Sequence, residues 1–200
     1  MAQEGDYGPI PENLKPVIDT VFESSNALTG VVQDFLDISR IEQGRMKYDY
    51  TVLDFSRLVR AVAEELEPNI RRKGLKLRME IIEGLHVYAD AGKLRQVIEN
   101  LVDNSIKYTK EGSLVVRVVR NGRNAAFSIT DTGIGIRPET LPNLFRKFSR
   151  AEDASKANII GTGLGLYIAR QLIETQKGKV WAESEGEGKG ATFTIELPLK

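Results

Sequence analysis

The chain has no cysteine and a single histidine, His86, among its 200 residues. Without cysteine, neither a disulfide scaffold nor a thiolate metal site can form. One histidine also excludes a histidine-rich zinc site and a phosphorelay between two histidines within this chain. These absences remove several classes of small secreted and metal-dependent proteins from consideration.

The chain also lacks an excess of either charge, since 28 Lys and Arg residues balance 28 Asp and Glu residues. A nucleic-acid partner is not expected, because binding through phosphate neutralisation normally needs a basic excess. No apolar run reaches the roughly 20 residues that span a bilayer, and the N-terminus has no secretory-signal pattern. We expect a soluble, cytoplasmic protein, whether or not a longer parent protein is anchored in a membrane.

One long helix is predicted near the N-terminus, from Glu12 to about Met46. Apolar residues recur three and four positions apart between Leu14 and Ile41, and Gly44 is suited to end the helix. Such a length exceeds what a small domain usually contains, so we expect a partner helix. The alternative is a surface helix packed on its own domain. We assign residues 1–46 and 47–200 to separate regions.

The second region is predicted to mix helices with strands. The predicted helices cover residues 54–73, 90–109 and 163–175, and the predicted strands cover 75–82, 86–89, 113–120, 125–130, 179–184 and 191–198. Turns at Glu83-Gly84 and Asn121-Gly122 predict hairpins. The pattern indicates the α+β class, a two-layer α/β sandwich with helices on a mixed sheet, preceded by the long helix.

The first candidate site lies on the predicted helix 90–109. Asn100 and Asn104 are four residues apart and share one face with Lys107. Amide oxygens can ligate Mg²⁺ when phosphates complete its coordination shell, and Lys107 can reach those phosphates. The same pattern also fits an ordinary solvated helix face.

The second candidate site is the segment 131–136, directly after a predicted strand. An ionised Asp131 only accepts hydrogen bonds, so it can receive the exocyclic amino group of adenine. Gly133 and Gly135 let the backbone approach a flat ligand closely. The alternative is a turn that merely ends the strand.

The third candidate site is the glycine-rich segment 161–165, which opens a predicted helix. Backbone N–H groups at a helix start attract phosphate. Leu166 stands where the dinucleotide-binding fingerprint needs its third glycine, and no Walker A sequence is present. If this loop binds phosphate, it does so in neither of the two commonest ways.

Between the second and third sites, Phe145 and Phe148 are three residues apart and predict a short packed helix. Lys147 and Arg150 are available to neutralise phosphate charge. A basic surface turn is the alternative interpretation of this segment.

In order and spacing, these motifs resemble the N, G1, F, G2 and G3 boxes of the sensor histidine kinases of two-component signalling. The matching segments are residues 99–109, 131–135, 145–148, 161–165 and 188–192. The resemblance implies the Bergerat-type ATP-binding fold shared by gyrase, Hsp90, MutL and histidine kinases. It also implies a lid over ATP at about residues 150–160, although Ile160 stands where the family often has glycine.

The resemblance also implies individual roles. Asn104 would ligate Mg²⁺, with Asn100 as a second candidate ligand, and Lys107 and Arg150 would meet phosphates; these four form the predicted catalytic set. The other implied nucleotide-binding residues are Tyr108, Asp131, Gly133, Gly135, Ile136, Phe148, Gly161, Thr162, Gly163, Leu164, Gly165 and Thr192.

One position favours phosphoryl transfer over hydrolysis. The hydrolytic relatives carry a glutamate four residues before the metal-binding asparagine, as general base for water, and here that residue is Asn100. Glu99 lies about 100° further around the helix, so it is poorly placed for the same task.

The N-terminal helix resembles, through residues 36–44, the second helix of the dimerisation hairpin of these kinases. The first helix of that hairpin carries the phosphoacceptor histidine followed by an acidic residue, and the sequence has no such pair. His86 is predicted to lie on a strand and to be structural. The resemblance therefore implies a kinase cut within its hairpin and unable to autophosphorylate.

The predicted function is transfer of the γ-phosphoryl group of ATP, with Mg²⁺, to a histidine absent from this chain. The expected partners are the phosphoacceptor helix of a histidine kinase, a response regulator receiver domain, and a second copy bound through residues 14–41. Two other functions remain open at this point, a nucleotide-binding interaction module without transfer activity and a gyrase-type ATP hydrolase.

Overall fold

The computed structural model describes residues 11–149 and 163–200. The chain divides into two compact units, Met1–Met46 and Lys47–Lys200. Within the described residues, no helix is both long enough and apolar enough to cross a membrane.

The first unit contains helix α1, Lys15–Glu42, which has 28 residues and is shorter at both ends than predicted. Gly44 ends it as predicted, with φ of 63°. The N–H of Gly44 donates to the carbonyl of Ile41 at 3.0 Å, and that of Arg45 donates to Arg40 at 2.8 Å, which satisfies the last turn. Most of the apolar stripe of α1 is exposed, with Val21 at 63% and Phe35 at 65%, whereas Ile38 is buried.

In its described residues, the second unit contains three further helices and seven strands. The helices are α2 (Phe55–Arg72), α3 (Ala91–Tyr108) and α4 (Gly165–Thr175), with a short 3₁₀ turn at Leu141–Asn143. The strands are β1 (Tyr50–Asp54), β2 (Lys76–Ile81), β3 (His86–Asp90), β4 (Ser113–Asn121), β5 (Asn124–Asp131), β6 (Lys179–Glu183) and β7 (Ala191–Pro198).

Five of the strands form a mixed sheet in the order β2-β4-β5-β7-β6, with β2 parallel to β4 and the other neighbours antiparallel. Alternate residues of the central strands, such as Phe127 and Ile195, are fully buried, as are Leu101 of α3 and Leu172 of α4. Because strand side chains alternate between faces, one face of the sheet carries the core and the helices cover it. The predicted α+β sandwich is confirmed.

The predicted hairpin over residues 75–89 is wrong. Strand β2 pairs with β4, whereas β3 pairs antiparallel with β1, a strand that the sequence did not predict. The hydroxyl of Ser56 forms hydrogen bonds with the backbone between β2 and β3, which has no hairpin partner. It donates to the carbonyl of Ile82 at 2.7 Å and accepts from the N–H of Leu85 at 3.2 Å. A buried side chain of α2 thus replaces backbone pairing between the two strands.

The other predicted elements are present with small shifts at their ends. Asp54 and Asp90 cap α2 and α3, each accepting a hydrogen bond from the backbone N–H three residues on, at 3.0 and 2.9 Å. Strands β4 and β5 form the predicted hairpin, closed by a two-residue loop in which Gly122 has φ of 60°. These caps and turns could be predicted because each depends on a few adjacent residues.

Candidate functional site

Helix α3 presents the first predicted motif on a partly exposed face. Its other face is anchored by fully buried residues such as Ile98 and Leu101. Asn100 and Asn104 are both half-buried, and Lys107 is exposed. The two amides therefore lie one turn apart along a surface that a ligand can reach.

Asn100 is in direct contact with the start of α4. A Cβ atom added to Gly165 would lie 2.5 Å from Oδ1 of Asn100, so no larger residue fits there without a shift. Leu164, which precedes the helix, is buried at 3% exposure, and Gly163 has φ of 70°. The first turn of α4, where the positive end of the helix dipole lies, is thus beside the helix that carries Asn104.

The C-terminal end of α3 is held by a lysine from α2. Nζ of Lys73 donates to the carbonyl of Ile106, and to that of Lys107 at 3.1 Å. Partial burial lowers the pKa of Lys73. A cation at this end also complements the helix dipole, which fixes the turn that carries Lys107 and Tyr108.

Asp131 ends strand β5 and is 4% exposed. Its Oδ1 accepts hydrogen bonds from the N–H of Gly133 at 2.8 Å and from that of Ala191 at 3.2 Å. Burial raises the pKa of Asp131, and these two donors together with the Ser105 hydroxyl lower it. Since both backbone bonds end on Oδ1, Oδ2 is the oxygen that can accept a bond from a ligand.

The loop after Asp131 docks on the end of α3. A Cβ added to Gly133 would lie 2.4 Å from the carbonyl oxygen of Tyr108 and 2.9 Å from Oγ1 of Thr109. The N–H of Ile134 donates to that same Tyr108 carbonyl at 3.1 Å. The Asp131 carboxylate is therefore positioned against the helix that carries Asn104.

A second loop, residues 184–190, is hydrogen-bonded to the Asp131 loop. The N–H of Gly188 donates to Ile134 at 2.7 Å, and that of Gly190 donates to Gly133 at 3.2 Å. Oγ of Ser184 accepts from the N–H of Ile136 at 3.0 Å, and Ile136 itself is 8% exposed. The two glycine-rich loops thus form one hydrogen-bonded wall behind Asp131.

The close approach of these loops requires glycine at two positions. Gly135 has φ of 73°, and a Cβ there would lie 2.0 Å from the carbonyl oxygen of Gly186. Gly190 has φ of 68°, and a Cβ there would lie 1.9 Å from the carbonyl oxygen of Asp131. Any side chain at either position must push the loops apart.

We predict that Gly190→Ala lowers the free energy of unfolding by roughly 2–4 kcal/mol, because it adds backbone strain and a steric clash. Gly122→Ala is the matched control. Gly122 has φ of 60° but no atom within 4 Å of an added Cβ, so only the strain of about 1 kcal/mol applies. Urea unfolding of both variants measures the difference. Equal losses would contradict the close packing of the two loops.

Thr192 is not brought to the Asp131 side of the sheet, contrary to its predicted place in the site. Asp131 pairs with Ala191, whereas Thr192 pairs with Thr130, and their hydroxyl oxygens are 3.0 Å apart. Side chains one residue apart on a strand point to opposite faces. Thr130 and Thr192 instead line a groove of about 510 Å³ with Glu183 and other residues. Ala191 takes the place beside Asp131.

The predicted packing of the phenylalanine pair is also wrong. Phe148 is 65% exposed and has φ of 57°, and the residue buried in this segment is Leu144. Nζ of Lys147 lies 5.2 Å from the ring centroid of Tyr167 on α4. The segment thus contacts α4 through Lys147, and its buried side chain is Leu144 rather than a pair of packed phenylalanines.

Several predicted residues lie outside the described part of the chain. They are Arg150, Gly161, Thr162 and the predicted lid at residues 150–160.

The metal-binding groups near Asn104 suit a cation whose coordination shell is completed by oxygens of a bound ligand. Among the described residues, no group of three or more His, Cys, Asp and Glu side chains could hold a metal ion by itself. The amide oxygens of Asn100 and Asn104 are neutral donors, which suit a hard cation only when anionic oxygens complete its shell. The residues therefore fit Mg²⁺ bound with phosphates.

Sequence reasoning missed four residues that build the site. Ser105, Lys73, Ser184 and Ala191 either contact or orient predicted residues. Ser105 directly follows Asn104, and Ala191 directly precedes Thr192, so both lay within recognised motifs. Lys73 and Ser184 gave no signal, because their roles depend on tertiary contacts between distant segments.

The fold and site define a class of protein, a nucleotide-binding α+β sandwich with a buried aspartate beside an asparagine-bearing helix. Residues 89–200 match the family described as histidine kinase-, DNA gyrase B- and HSP90-like ATPase. The circadian input-output histidine kinase CikA of Synechococcus elongatus is 33% identical over 196 residues, covering 96% of this chain and 26% of that protein. The chain thus spans about a quarter of the length of this curated relative.

Two solved structures share the fold. Full-length ShkA in complex with AMPPNP has a TM-score of 0.79 at 26% identity, covering 98% of this chain and 41% of that one. Histidine kinase ThkA in complex with the response regulator protein TrrA has a TM-score of 0.72 at 26% identity, covering 98% and 54%. The chain belongs to the histidine kinase-, DNA gyrase B- and HSP90-like ATPase family, and it carries the ATP-binding catalytic domain found in two-component histidine kinases.

Proposed function

We propose that this chain binds ATP with Mg²⁺ at the site around Asp131 and Asn104, and that it passes the γ-phosphoryl group to a histidine outside these 200 residues. The observation that carries the proposal is the position of Asp131. Its buried carboxylate is presented by two backbone N–H groups and faces the helix that bears Asn104.

The base of the nucleotide lies at the Asp131 end of the site in this proposal. Oδ2 of Asp131 accepts a hydrogen bond from the amino group of adenine, and guanine is rejected because it presents a carbonyl oxygen there. Gly133, Gly135 and Ile136 line the base, since glycine permits close backbone approach. Tyr108, whose carbonyl anchors the loop, lies against the nucleotide.

The phosphates extend along α3 toward α4. Lys107 is exposed at the end of α3 and supplies positive charge, together with Arg150 by its match to the family motif. The first turn of α4, entered through Gly163 and Leu164, supplies backbone N–H groups to the phosphates. Gly161 and Thr162 belong to the same motif. The protein thus contributes position and charge, which is most of what phosphoryl transfer requires.

Asn104 is the proposed protein ligand of Mg²⁺. When bound, the ion neutralises charge on the β- and γ-phosphates. We give Asn100 mainly a structural role, because its side chain packs directly on Gly165. That contact keeps the start of α4 against Asn100, which lies one helical turn before Asn104 on α3.

The surroundings of Asn100 support transfer rather than hydrolysis. A general base for water would need a carboxylate at this position. The adjacent Glu99 accepts a hydrogen bond from Arg95 at 2.9 Å, and Arg95 also donates to Glu65 at 2.7 Å. Glu99 is thus held in an ion-pair network, which argues against a gyrase-type hydrolase.

The phosphoacceptor in this proposal comes from another segment. His86 lies on β3, where Nδ1 is 2.9 Å from the carbonyl oxygen of Gly84, and the residue that follows it is valine rather than an acid. We assign residues 1–46 to the second helix of a dimerisation hairpin and residues 47–200 to the catalytic domain. The exposed apolar stripe between residues 14 and 41 would pack against an acceptor helix and a second copy.

A response regulator receiver domain is the proposed partner after phosphorylation. ThkA, whose structure resembles this chain, has been solved in complex with a response regulator protein.

The experiment that tests transfer uses ATP labelled at the γ-phosphate. The chain is incubated with Mg²⁺ and an added fragment that carries the first hairpin helix of a histidine kinase. We expect acid-labile label on a histidine of the fragment and none on this chain. Label on His86 would overturn the claim about the acceptor.

The same incubation separates the two alternatives. An interaction module without transfer activity would show ATP-dependent thermal stabilisation while no label reaches any fragment. A hydrolase would release phosphate steadily without a fragment. Either result would replace the proposed transfer function.

A further inference from the structure

Ser105 is a fully buried residue whose hydroxyl lowers the pKa of Asp131. It is 0% exposed, and its Oγ forms no hydrogen bond of normal geometry with any atom of the described ranges 11–149 and 163–200. Buried hydroxyl groups almost always have a partner, because an unpaired one loses its bonds to water without compensation. An unpaired hydroxyl at this position therefore needs an explanation.

Ser105 lies on the face of α3 that is next to the Asp131 carboxylate. Ser105 and Thr109 are four residues apart on α3 and share its buried face, and Oγ1 of Thr109 donates to the Ser105 carbonyl at 2.7 Å. The ideal Cβ position of Gly133 is 2.9 Å from that Thr109 oxygen and 2.8 Å from Oδ1 of Asp131. The Ser105 face of α3 is thus the face on which the Asp131 carboxylate rests.

We propose that Ser105 is a positioning residue: its hydroxyl donates to the ionised carboxylate of Asp131 and holds it as a hydrogen-bond acceptor for the nucleotide base. This inference rests on the proposed function of Asp131 and assigns a new role to Ser105. The hydroxyl can rotate to meet the carboxylate, because no other partner holds it in place.

The electrostatic surroundings of Asp131 make this donor important. Burial raises the pKa of Asp131, and within the described residues the N–H of Gly133, the N–H of Ala191 and the Ser105 hydroxyl lower it. Charged residues lie on the elements around Asp131, but none of them contributes to this pKa. They are Asp103 and Lys107 on α3, and Glu185, Glu187 and Lys189 in the 184–190 loop.

A buried acid without a cationic partner depends on neutral donors to stay ionised. The two N–H donors both bond Oδ1. The Ser105 hydroxyl on α3 is a third neutral donor that can stabilise the charge of the carboxylate. Because it is not a backbone group fixed on Oδ2, it leaves that oxygen able to accept a bond from the base. Loss of this hydroxyl should therefore favour the protonated acid, which would present a donor where the base needs an acceptor.

The test is the pKa of the Asp131 carboxyl, measured without nucleotide by carbon-detected NMR in wild type and in Ser105→Ala. The Asp131→Asn variant assigns the signal. We expect the Asp131 pKa to rise by about one unit in Ser105→Ala. ATP affinity at neutral pH should fall about 3- to 10-fold, and the loss should grow as the pH is lowered.

Thr109→Val is the matched control. It removes a buried hydroxyl from the same face of α3, but that hydroxyl donates to a backbone carbonyl and not to Asp131. The Asp131 pKa should therefore stay at its wild-type value in this variant. If Ser105→Ala does not fold, Ser105→Cys keeps the volume with a weaker donor and should give a smaller rise.

The outcomes separate this proposal from the proposed function. An unchanged Asp131 pKa in Ser105→Ala would overturn the role of Ser105 even if ATP still binds at Asp131. The role of Ser105 is supported if the Asp131 pKa rises in Ser105→Ala and ATP affinity falls in Asp131→Asn. If the Asp131 pKa rises in Ser105→Ala but ATP affinity is unchanged in Asp131→Asn, the contact between Ser105 and Asp131 is supported and the proposed nucleotide site at Asp131 is rejected.

Discussion

Asp131→Asn is expected to weaken ATP binding at least about 30-fold, equivalent to roughly 2 kcal/mol, while leaving the fold intact. The asparagine oxygen can keep the Oδ1 position and accept from the N–H groups of Gly133 and Ala191. The amide NH₂ then replaces Oδ2 and meets the amino group of adenine, donor against donor. Isothermal titration with ATP measures the loss.

The stability of the same variant should change in the opposite direction. The pKa of Asp131 is raised, mainly by burial, so the folded state holds its proton more tightly than the unfolded state does. Ionisation of Asp131 therefore lowers the free energy of unfolding as the pH rises above the pKa of Asp131 in the unfolded state and through its pKa in the folded state. A neutral asparagine avoids this cost.

At neutral pH, nucleotide-free Asp131→Asn should therefore melt at the same temperature as wild type or higher, and its advantage should disappear in acid. ATP should raise the melting temperature of wild type and not that of the variant. If Asp131→Asn bound ATP with wild-type affinity, the proposed place of the adenine would be wrong.

Asn104→Ala is expected to reduce phosphoryl transfer to an acceptor fragment by about 100-fold or more, because the metal loses its protein ligand. Binding of ATP in the presence of EDTA should change little, since the contacts to the base remain. Filter assays of labelled fragment, and titrations with and without Mg²⁺, separate the two effects.

Asn69→Ala provides the matched control for Asn104→Ala. Asn69 is an exposed asparagine on α2 whose Oδ1 accepts from Arg72 at 3.2 Å. Transfer should be unchanged in this variant. Equal transfer by the Asn104 and Asn69 variants would remove Asn104 from the proposed metal site.

The parts of the site that the sequence predicts are those that depend on local spacing. Asn100 and Asn104 share a face of α3 because residues four apart do so on any helix. Asp131 was expected at the end of a strand, and it ends β5. Periodicity and capping signals carry this information over short distances, so the α+β class and most helices and strands could be predicted.

The parts that the sequence did not predict depend on register and on contacts between distant segments. The motif 188–192 does not reveal which of its residues faces Asp131, and the pairing of Asp131 with Ala191 excludes Thr192. Two adjacent strand patterns around Gly84 looked like a hairpin. Their true partners are β4 and β1, and Ser56 satisfies the backbone between them.

The most direct test of the account is a crystal structure of this chain with AMPPNP and Mg²⁺. We predict the adenine amino group within hydrogen-bond distance of Oδ2 of Asp131, Mg²⁺ on the side-chain oxygen of Asn104, and phosphates near the start of α4. Nucleotide bound elsewhere, for example in the groove at Thr130 and Thr192, with no contact to Asp131, would contradict it.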